Sequence, residues 1–236
     1  MRPRTGVVGR ERFNPASRSR LTHRDLGRFP GGTLFARVAR AVCEAGCLPR
    51  KELFESWEVA RRVRRRVRGR RVVELAAGHA LLAHLLLLLD ASSEAAVAID
   101  TKAVPSADRL AQTLVSHWPA LEGRVGCRVG DLARVDIDAG DLVVSVHACG
   151  ALSDVVIDRA VQARAAVALL PCCHDASTCD TGGLRGFLSI PLAVDATRVA
   201  RLRAAGYGVF TQTIPEEITP QNRLILGTPS LPGLSR

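Results

Sequence analysis

From residue 71 onward, short apolar runs alternate with longer stretches in which apolar residues recur at helical spacing. This alternation constrains the fold more than any other feature of the chain, because repeated strand and helix units build a parallel sheet with helices on its faces. The longer stretches predict helices at residues 80–89, 105–117, 153–163 and 195–205. The apolar runs predict strands at residues 72–75, 96–99, 125–129, 142–146, 166–170, 207–213 and 223–227.

The connection between the last two predicted strands, residues 214–222, is too short for a crossover helix. These two strands should therefore pair antiparallel, whereas the earlier ones should be parallel. We predict an α/β fold of the Rossmann-like type, with a seven-stranded, mostly parallel sheet and an antiparallel last strand.

The N-terminal part has a different composition. Residues 1–32 contain eight arginines together with prolines and a Gly-Gly pair, and they show no sustained apolar period. We interpret them as a basic, flexible arm. Residues 33–69 should form a helical basic extension, and residues 70–236 the main domain.

Two helices are predicted in the basic extension. Thr33 is suited to cap the first, and Gly46 to end it. The second should begin near Pro49 and run to about Arg68, with an apolar stripe on one side. Its other sides carry Arg61, Arg62, Arg64, Arg65, Arg66 and Arg68.

The charge balance has two interpretations. The formal net charge is +10, and Lys51 and Lys102 are the only lysines. Clustered arginine indicates a polyanionic partner such as RNA. A chain rich in arginine, alanine and valine but poor in lysine is equally typical of a high-GC genome.

The bulk composition predicts one catalytic domain in the cytoplasm. A chain of 236 residues is long enough for one sizeable core plus an appendage. Its seven cysteines are odd in number, and no apolar leader segment follows Met1, so we expect reduced thiols. The apolar run Leu81–Leu89 is much shorter than the ~20 residues that cross a bilayer, so we expect no membrane partner.

The first strand leads into a loop of small residues. Glu74 is followed by Ala76, Gly78 and Ala80 at alternate positions. This resembles the loop of class I S-adenosylmethionine (SAM)-dependent methyltransferases, an acidic residue followed by G-x-G-x-G, where small residues let the backbone approach the cofactor. Alanine takes positive φ less readily than glycine. We assign Glu74, Ala76 and Gly78 to cofactor binding.

Two later strands also end in acidic residues. Asp100 follows the loop by about 20 residues, where a carboxylate can accept both ribose hydroxyls. Asp131 and Leu132 stand where the same class places an acid and an apolar residue against adenine. The three acids in this order favour SAM as the cofactor. The sequence lacks a G-K-[ST] loop and an NAD-type G-x-G-x-x-G, which argues against nucleotide hydrolysis and hydride transfer.

The most specific resemblance lies after the fourth and fifth strands. Residues 147–154 read H-A-C-G-A-L-S-D, and residues 172–175 read C-C-H-D. They resemble the H-L-C-G-x-A-T-D and C-C-H-H motifs of the methyltransferase family that includes the eukaryotic tRNA 2′-O-methyltransferases. Ala148, Ser153 and Asp175 depart from those motifs. The resemblance covers about residues 70–228 and implies SAM-dependent methylation of RNA.

The histidines and the acid in these motifs are candidate catalytic residues. His147 and His174 could act as a general base or position the substrate, since imidazole titrates near neutral pH. We also place His147 next to the cofactor. Asp154 could cap the following helix or orient His147.

The cysteines allow three interpretations. Cys149 or Cys172 could be a covalent nucleophile. Alternatively, a metal could be bound by Cys149, Cys172, Cys173, His174 and Cys179, although adjacent cysteines lack the usual C-x-x-C spacing. The simplest interpretation is that small thiols pack at the sheet edge, so we assign no metal ligand from the sequence.

The predicted function is methylation of tRNA or rRNA, with a ribose 2′-hydroxyl as the expected acceptor and the Arg-rich N-terminal region contacting RNA. An Asn-Pro-Pro-Tyr motif, used on exocyclic amines, is absent from the sequence. Two alternatives stay open. One is a methyltransferase for a protein or a small molecule, and the other is a non-catalytic RNA-binding scaffold that kept the fold.

Overall fold

A computed structural model describes residues 13–230 of the chain. Seven strands in this part form one sheet in the order β3-β2-β1-β4-β5-β7-β6. The strands are β1 Val72–Leu75, β2 Ala96–Asp100, β3 Val125–Val129, β4 Leu142–Ser145, β5 Ala166–Leu169, β6 Tyr207–Thr213 and β7 Arg223–Pro229. The helices are α1 Leu34–Ala45, α2 Arg50–Val63, α3 Leu81–Leu89, α4 Pro105–His117, α5 Leu152–Ala163 and α6 Ile190–Ala204.

The pairing of the strands confirms the predicted fold. β1 lies at the centre and pairs parallel with β2 and with β4. β7 is inserted between β5 and β6 and runs antiparallel to both. The strand order reverses at β1, so the carboxyl ends of β1, β2 and β4 border the crevice where such sheets bind ligands.

Alternate residues of each strand face opposite layers of helices. Val72 belongs to a core shared with α1, α2, α3 and α4, whereas Val73 belongs to a core shared with α5 and α6. This two-sided burial explains why the central strands are continuously apolar rather than alternating. No helix in the described part of the chain is long and apolar enough to span a membrane.

Two helix boundaries differ from the predicted ones. α2 ends at Val63 rather than near Arg68, because the run of like charges that follows repels at helical spacing. α6 begins at Ile190, about one turn earlier than predicted, because Pro191 fits the first turn of a helix. By contrast, α1 has the predicted ends: the Thr33 side chain accepts a hydrogen bond from the Ala36 backbone N–H at 3.2 Å, and Gly46 has φ of 62°.

Two side chains anchor the described part of the predicted arm, residues 13–32. Leu21 and Phe29 are buried, and the Leu21 backbone N–H donates to the Leu48 carbonyl at 2.9 Å. A short bridge joins Arg20 to Pro49, just before α2. The two buried side chains are irregularly spaced and leave no periodic signal in the sequence, and the flexibility of the arm stays a prediction. Residues 1–12 lie outside the described part.

Candidate functional site

A cleft at the carboxyl ends of β1, β2 and β4 collects most of the predicted cofactor residues. It has a volume of about 370 Å³, and a second cavity of about 190 Å³ adjoins it along Gly78 and Asp100. We call the two together the central cleft. The predicted residues that line it are Ala76, Gly78, Asp100, Leu132 and His147.

The loop after β1 keeps a backbone suited to glycine despite its alanines. Ala76, Gly78 and Ala80 have φ of 53°, 53° and 58°. For alanine this left-handed conformation costs roughly 1–2 kcal/mol per residue. The surrounding contacts must offset that cost, and one of them is the hydrogen bond from the Gly78 backbone N–H to Asp100 Oδ2 at 2.9 Å. Sequence reasoning expected positive φ to be harder at the two alanines, yet all three residues adopt it.

Asp100 connects the end of β2 to this loop. While Oδ2 accepts from Gly78, Oδ1 accepts from the Lys102 backbone N–H at 3.3 Å. The carboxylate is partly exposed and lines both cavities of the cleft. Its free lone pairs can therefore accept hydrogen bonds from a bound molecule.

Glu74 does not reach the cleft, which corrects its assignment to cofactor binding. Its side chain is buried, and Oε2 accepts a hydrogen bond from the Ala83 backbone N–H at 2.8 Å. Ala83 lies in the first turn of α3, where backbone N–H groups lack intrahelical partners. Glu74 thus holds α3 against β1. Burial raises the pKa of its carboxyl group to about 8.

The raised pKa makes a pH-dependent contribution to stability. In the unfolded chain Glu74 loses its proton near pH 4.5, whereas the folded protein holds the proton up to about pH 8. Unfolding free energy should therefore fall as the pH rises through this window. The expected loss is a few kcal/mol, since each pKa unit corresponds to about 1.4 kcal/mol. Urea unfolding of wild type and Glu74→Gln between pH 5 and 8.5 should show a shallower pH dependence in the variant. Parallel curves would contradict this account.

Glu52, which sequence reasoning missed, reaches into the central cleft from α2. Its Oε1 lies 3.4 Å from His79 Nδ1 and 3.9 Å from His147 Nε2. His79 is fixed on its other side, because Nε2 lies 3.0 Å from Ser106 Oγ. Glu52 follows the predicted start of a helix and belongs to no recognisable motif, so only the packing of α2 onto α3 reveals it.

His147 is the candidate proton acceptor of the cleft. Its side chain is about one third exposed, and Nε2 has no hydrogen-bond partner among the described residues. The 3.9 Å separation from Glu52 is too long for a hydrogen bond. Nε2 itself is buried, so it lacks a hydrogen bond that a molecule bound against His147 could supply.

Asp131 and Leu132, predicted as a pair, point to different places. Leu132 is buried and lines the central cleft. The exposed Asp131 side chain instead caps a short 3₁₀ helix, accepting from the Ala133 backbone N–H at 2.9 Å. It lines a separate groove with Arg134. The structure therefore offers Leu132, but not the Asp131 carboxylate, to the cleft.

Asp154 and His174, predicted to be catalytic, belong to a buried ion-pair network. Asp154 Oδ2 lies 2.8 Å from Arg198 Nη2, and Asp195 Oδ1 lies 2.7 Å from His174 Nε2. Arg198 joins the two acids and is 1% exposed. Neither Asp154 nor His174 lines the cleft, which argues against the predicted direct catalytic roles. Helix α6 supplies the unforeseen partners Asp195 and Arg198.

Three of the cysteines considered as possible metal ligands do come together. The Sγ atoms of Cys149, Cys172 and Cys173 are separated by 2.7 Å, 3.4 Å and 3.8 Å. We call them the thiol cluster. Burial raises the pKa of the Cys149 and Cys172 thiols, which disfavours a reactive thiolate in the protein alone. Cys179 lies apart, with its Sγ 3.7 Å from Arg198 Nη2.

The arginine-rich end of α2 lies far from the cleft. Glu52 near the start of the helix reaches the cleft, and the chain enters the opposite end of β1 at Val72. Glu52 and Arg64 are about 18 Å apart along the axis, at 1.5 Å per residue. Arg66 stacks on the Phe210 ring there, at 3.8 Å from the centroid. These arginines therefore do not line the cleft. If they contact RNA, as the sequence analysis expected of the Arg-rich N-terminal region, they do so away from the cleft.

The topology and the cleft define a class I SAM-dependent methyltransferase fold. The sequence profile of a family described as methyltransferase domain matches residues 52–180, more than half of the chain. The chain belongs to this family. The match begins inside α2, and the division at residue 70 stays a prediction.

Solved structures support the fold. The chain is similar to the methyltransferase domain of bacterial CtHen1, with a TM-score of 0.54 and 15% identity over 77% of this chain and 100% of that one. It is also similar to the SAM-dependent methyltransferase SibL, with a TM-score of 0.50 and 20% identity. That match covers 86% of this chain and 64% of SibL. A third similar structure is the B. subtilis tRNA methyltransferase TrmK, with a TM-score of 0.51 and 16% identity. That match covers 73% of this chain and 65% of TrmK. The chain thus spans just under two thirds of SibL and of TrmK. No curated protein sequence matches significantly.

Proposed function

We propose that this methyltransferase binds SAM in the central cleft and methylates tRNA or rRNA at a ribose 2′-hydroxyl. The observation that carries the proposal is His147, which lines the same cleft as Asp100 and whose buried Nε2 has no hydrogen-bond partner among the described residues. A hydroxyl acceptor must lose a proton during methyl transfer, and an imidazole at hydrogen-bond reach can take it. The motifs around His147 and Cys172 add the resemblance to tRNA 2′-O-methyltransferases.

The residues of the cleft fit the cofactor. The left-handed loop from Ala76 to Ala80 exposes backbone where a bound molecule can approach closely. Asp100 offers a carboxylate to the ribose hydroxyls, and buried Leu132 offers an apolar surface to adenine. SAM would supply the electrophilic methyl group, so the protein needs to align the acceptor and receive its proton.

The N-terminal segment supports an RNA acceptor. Arg18, Arg20 and Arg24 are exposed and make no ion pair within residues 13–230. The bridge between Arg20 and Pro49 holds this segment beside the start of α2, close to Glu52. Arginines at that edge of the cleft would contact phosphates without reading sequence.

The charges that act on the Cys47 thiol are a second indication, besides the Arg20–Pro49 bridge, that Arg20 lies near the start of α2. Burial raises the pKa of the Cys47 thiol, the positive charges of Arg109 and Arg20 oppose the rise, and the negative charge of Glu52 adds to it. Arg20 and Arg109 therefore lie near the helix end that carries Glu52. Positive charge is thus present on the cleft side of the molecule, even though the arginine-rich end of α2 is remote.

The cofactor assignment predicts a specific loss of affinity. Replacing Asp100 with alanine should weaken SAM binding about 10- to 100-fold, since a hydrogen bond to a charged group is worth roughly 1.5–3 kcal/mol. Isothermal titration of the purified full chain measures this directly. Asp136→Ala is the matched control, because Asp136 is exposed and does not line the central cleft. Equal SAM affinity in Asp100→Ala and wild type would contradict the assignment.

The acceptor is tested by methyl incorporation. Wild-type protein and [methyl-³H]SAM should label total cellular RNA, and nuclease digestion followed by nucleoside analysis should place the label on ribose. Replacing Arg18, Arg20 and Arg24 together should weaken RNA binding and flatten its salt dependence. Label found only in protein or in small molecules would overturn the RNA proposal while leaving SAM binding intact.

A further inference from the structure

The thiol cluster brings together cysteines that are 23 and 24 residues apart in sequence. Cys149 follows β4, and Cys172 and Cys173 follow β5. β4 and β5 are neighbouring parallel strands, paired up to Ser145 and Leu169. Their carboxyl ends therefore meet at one edge, and the residues just beyond them converge.

Simple packing does not account for this cluster. Cys149 and Cys173 are exposed, and Cys172 is only partly buried. Burial of small apolar thiols is therefore not what holds the three sulfur atoms together. A disulfide would use two of them and leave the third beside it.

The sulfur positions suit a single thiophilic ion. Zinc binds cysteine sulfur at about 2.3 Å in tetrahedral geometry, which places ligand sulfurs about 3.8 Å apart. Two of the observed separations are 3.4 Å and 3.8 Å, and the third is 2.7 Å. Rotation of the exposed Cys149 side chain could move its sulfur by about 1 Å. This would lengthen the Cys149–Cys172 sulfur separation without moving the backbone.

The nearby groups leave the fourth position unfilled. The buried His174 is engaged with Asp195 through Nε2, at 2.7 Å, and does not join the cluster. Cys179 lies against Arg198 instead. Only these three sulfurs among the described residues are close enough to share an ion.

We propose that Cys149, Cys172 and Cys173 bind one Zn²⁺ ion as thiolates, with an exogenous ligand such as water in the fourth position. The site joins the end of β4 to the end of β5. Cys149 lies two residues beyond His147, so the ion steadies the backbone that carries the candidate proton acceptor of the central cleft. Cys149 and Cys173 are exposed, so solvent can reach the site. The site does not depend on the identity of the methyl acceptor.

Zinc stoichiometry and affinity test the site. Full-length protein, reduced and stripped with a chelator, should take up one equivalent of Zn²⁺ in a calorimetric titration. Cobalt should bind in its place and give thiolate-to-cobalt charge-transfer absorption. Each of Cys149→Ser, Cys172→Ser and Cys173→Ser should weaken Zn²⁺ binding at least about 100-fold, because three-ligand sites tolerate the loss of a thiolate poorly.

Cys127→Ser is the matched control, since Cys127 is an exposed cysteine of β3 outside the cluster. It should bind zinc as wild type does. Circular dichroism and SAM titration of the three cluster variants separate loss of the ion from loss of the fold. Failure of the reduced wild-type protein to take up zinc, or unchanged uptake by Cys173→Ser, would overturn the proposal. Loss of zinc with SAM binding retained would support it.

Discussion

Replacing His147 with glutamine will slow methyl transfer to RNA by about 10²- to 10⁴-fold while leaving SAM binding nearly unchanged. That range is typical of a positioned general base. His147 lines the central cleft, and its buried Nε2 has no hydrogen-bond partner among residues 13–230, so a molecule bound there is the partner we expect. Glutamine has similar size and polarity but does not accept a proton at neutral pH.

Single-turnover methyl transfer at saturating SAM and RNA measures this effect on the chemical step. His117→Gln is the matched control, because His117 lies on the outer end of α4 and pairs with Glu44 at 2.6 Å. Its rate should equal that of wild type. A His147→Gln enzyme with an unchanged rate would remove the proton-acceptor role. A variant that lost SAM binding instead would assign His147 to the cofactor, as the sequence resemblance also allowed.

Replacing Arg198 with methionine will destabilise the protein by about 3–5 kcal/mol. Removing one partner of a buried ion pair has this cost. Asp154 keeps Arg201, and Asp195 keeps Arg223 and His174, so we expect the lower end of the range. Arg198 is 1% exposed and contacts Asp154 at 2.8 Å and Asp195 at 3.5 Å. The melting temperature should fall by roughly 10 °C, at a few degrees per kcal/mol for a protein of this size.

Thermal and urea unfolding of Arg198→Met and Arg203→Met make the comparison. Arg203 is an exposed arginine of the same helix, and its replacement should change stability by less than about 0.5 kcal/mol. Adding Asp154→Asn to Arg198→Met should restore part of the loss, because it removes a carboxylate that has lost one of its two arginine partners. Equal melting temperatures of the two arginine variants would show that the network contributes little.

The network also explains how α6 influences the cleft without lining it. Arg198 Nη2 donates a hydrogen bond to the Gly150 carbonyl at 2.9 Å, within the segment that joins His147 to α5. Asp154 anchors the same guanidinium from α5. The H-A-C-G-A-L-S-D motif therefore combines a residue that faces the cleft with one that fixes the segment, and the two ends of the motif have different roles.

Several parts of the site followed from the strand pattern. The carboxyl ends of parallel strands meet at one edge, so Asp100 and His147 could be assigned to a common cleft from their positions after predicted strands. That rule locates the backbone but not the direction of each side chain. Glu74 and Asp131 occupy predicted positions, yet one caps α3 and the other caps a 3₁₀ helix. These side chains accept hydrogen bonds from nearby backbone N–H groups at helix starts instead of pointing into the cleft.

The sequence by itself determined the order of strands and helices along the chain and the antiparallel pairing of the last two strands. It also determined the edge of the sheet at which the cleft forms. Apolar periodicity carries this information because burial on one or both faces has a fixed spacing along each element. Only the tertiary structure decided that Glu52 enters the cleft, that the arginine-rich end of α2 lies away from it, and that Arg198 joins Asp154 to Asp195. Such contacts depend on how helices pack across the sheet, which brings together residues that share no local pattern.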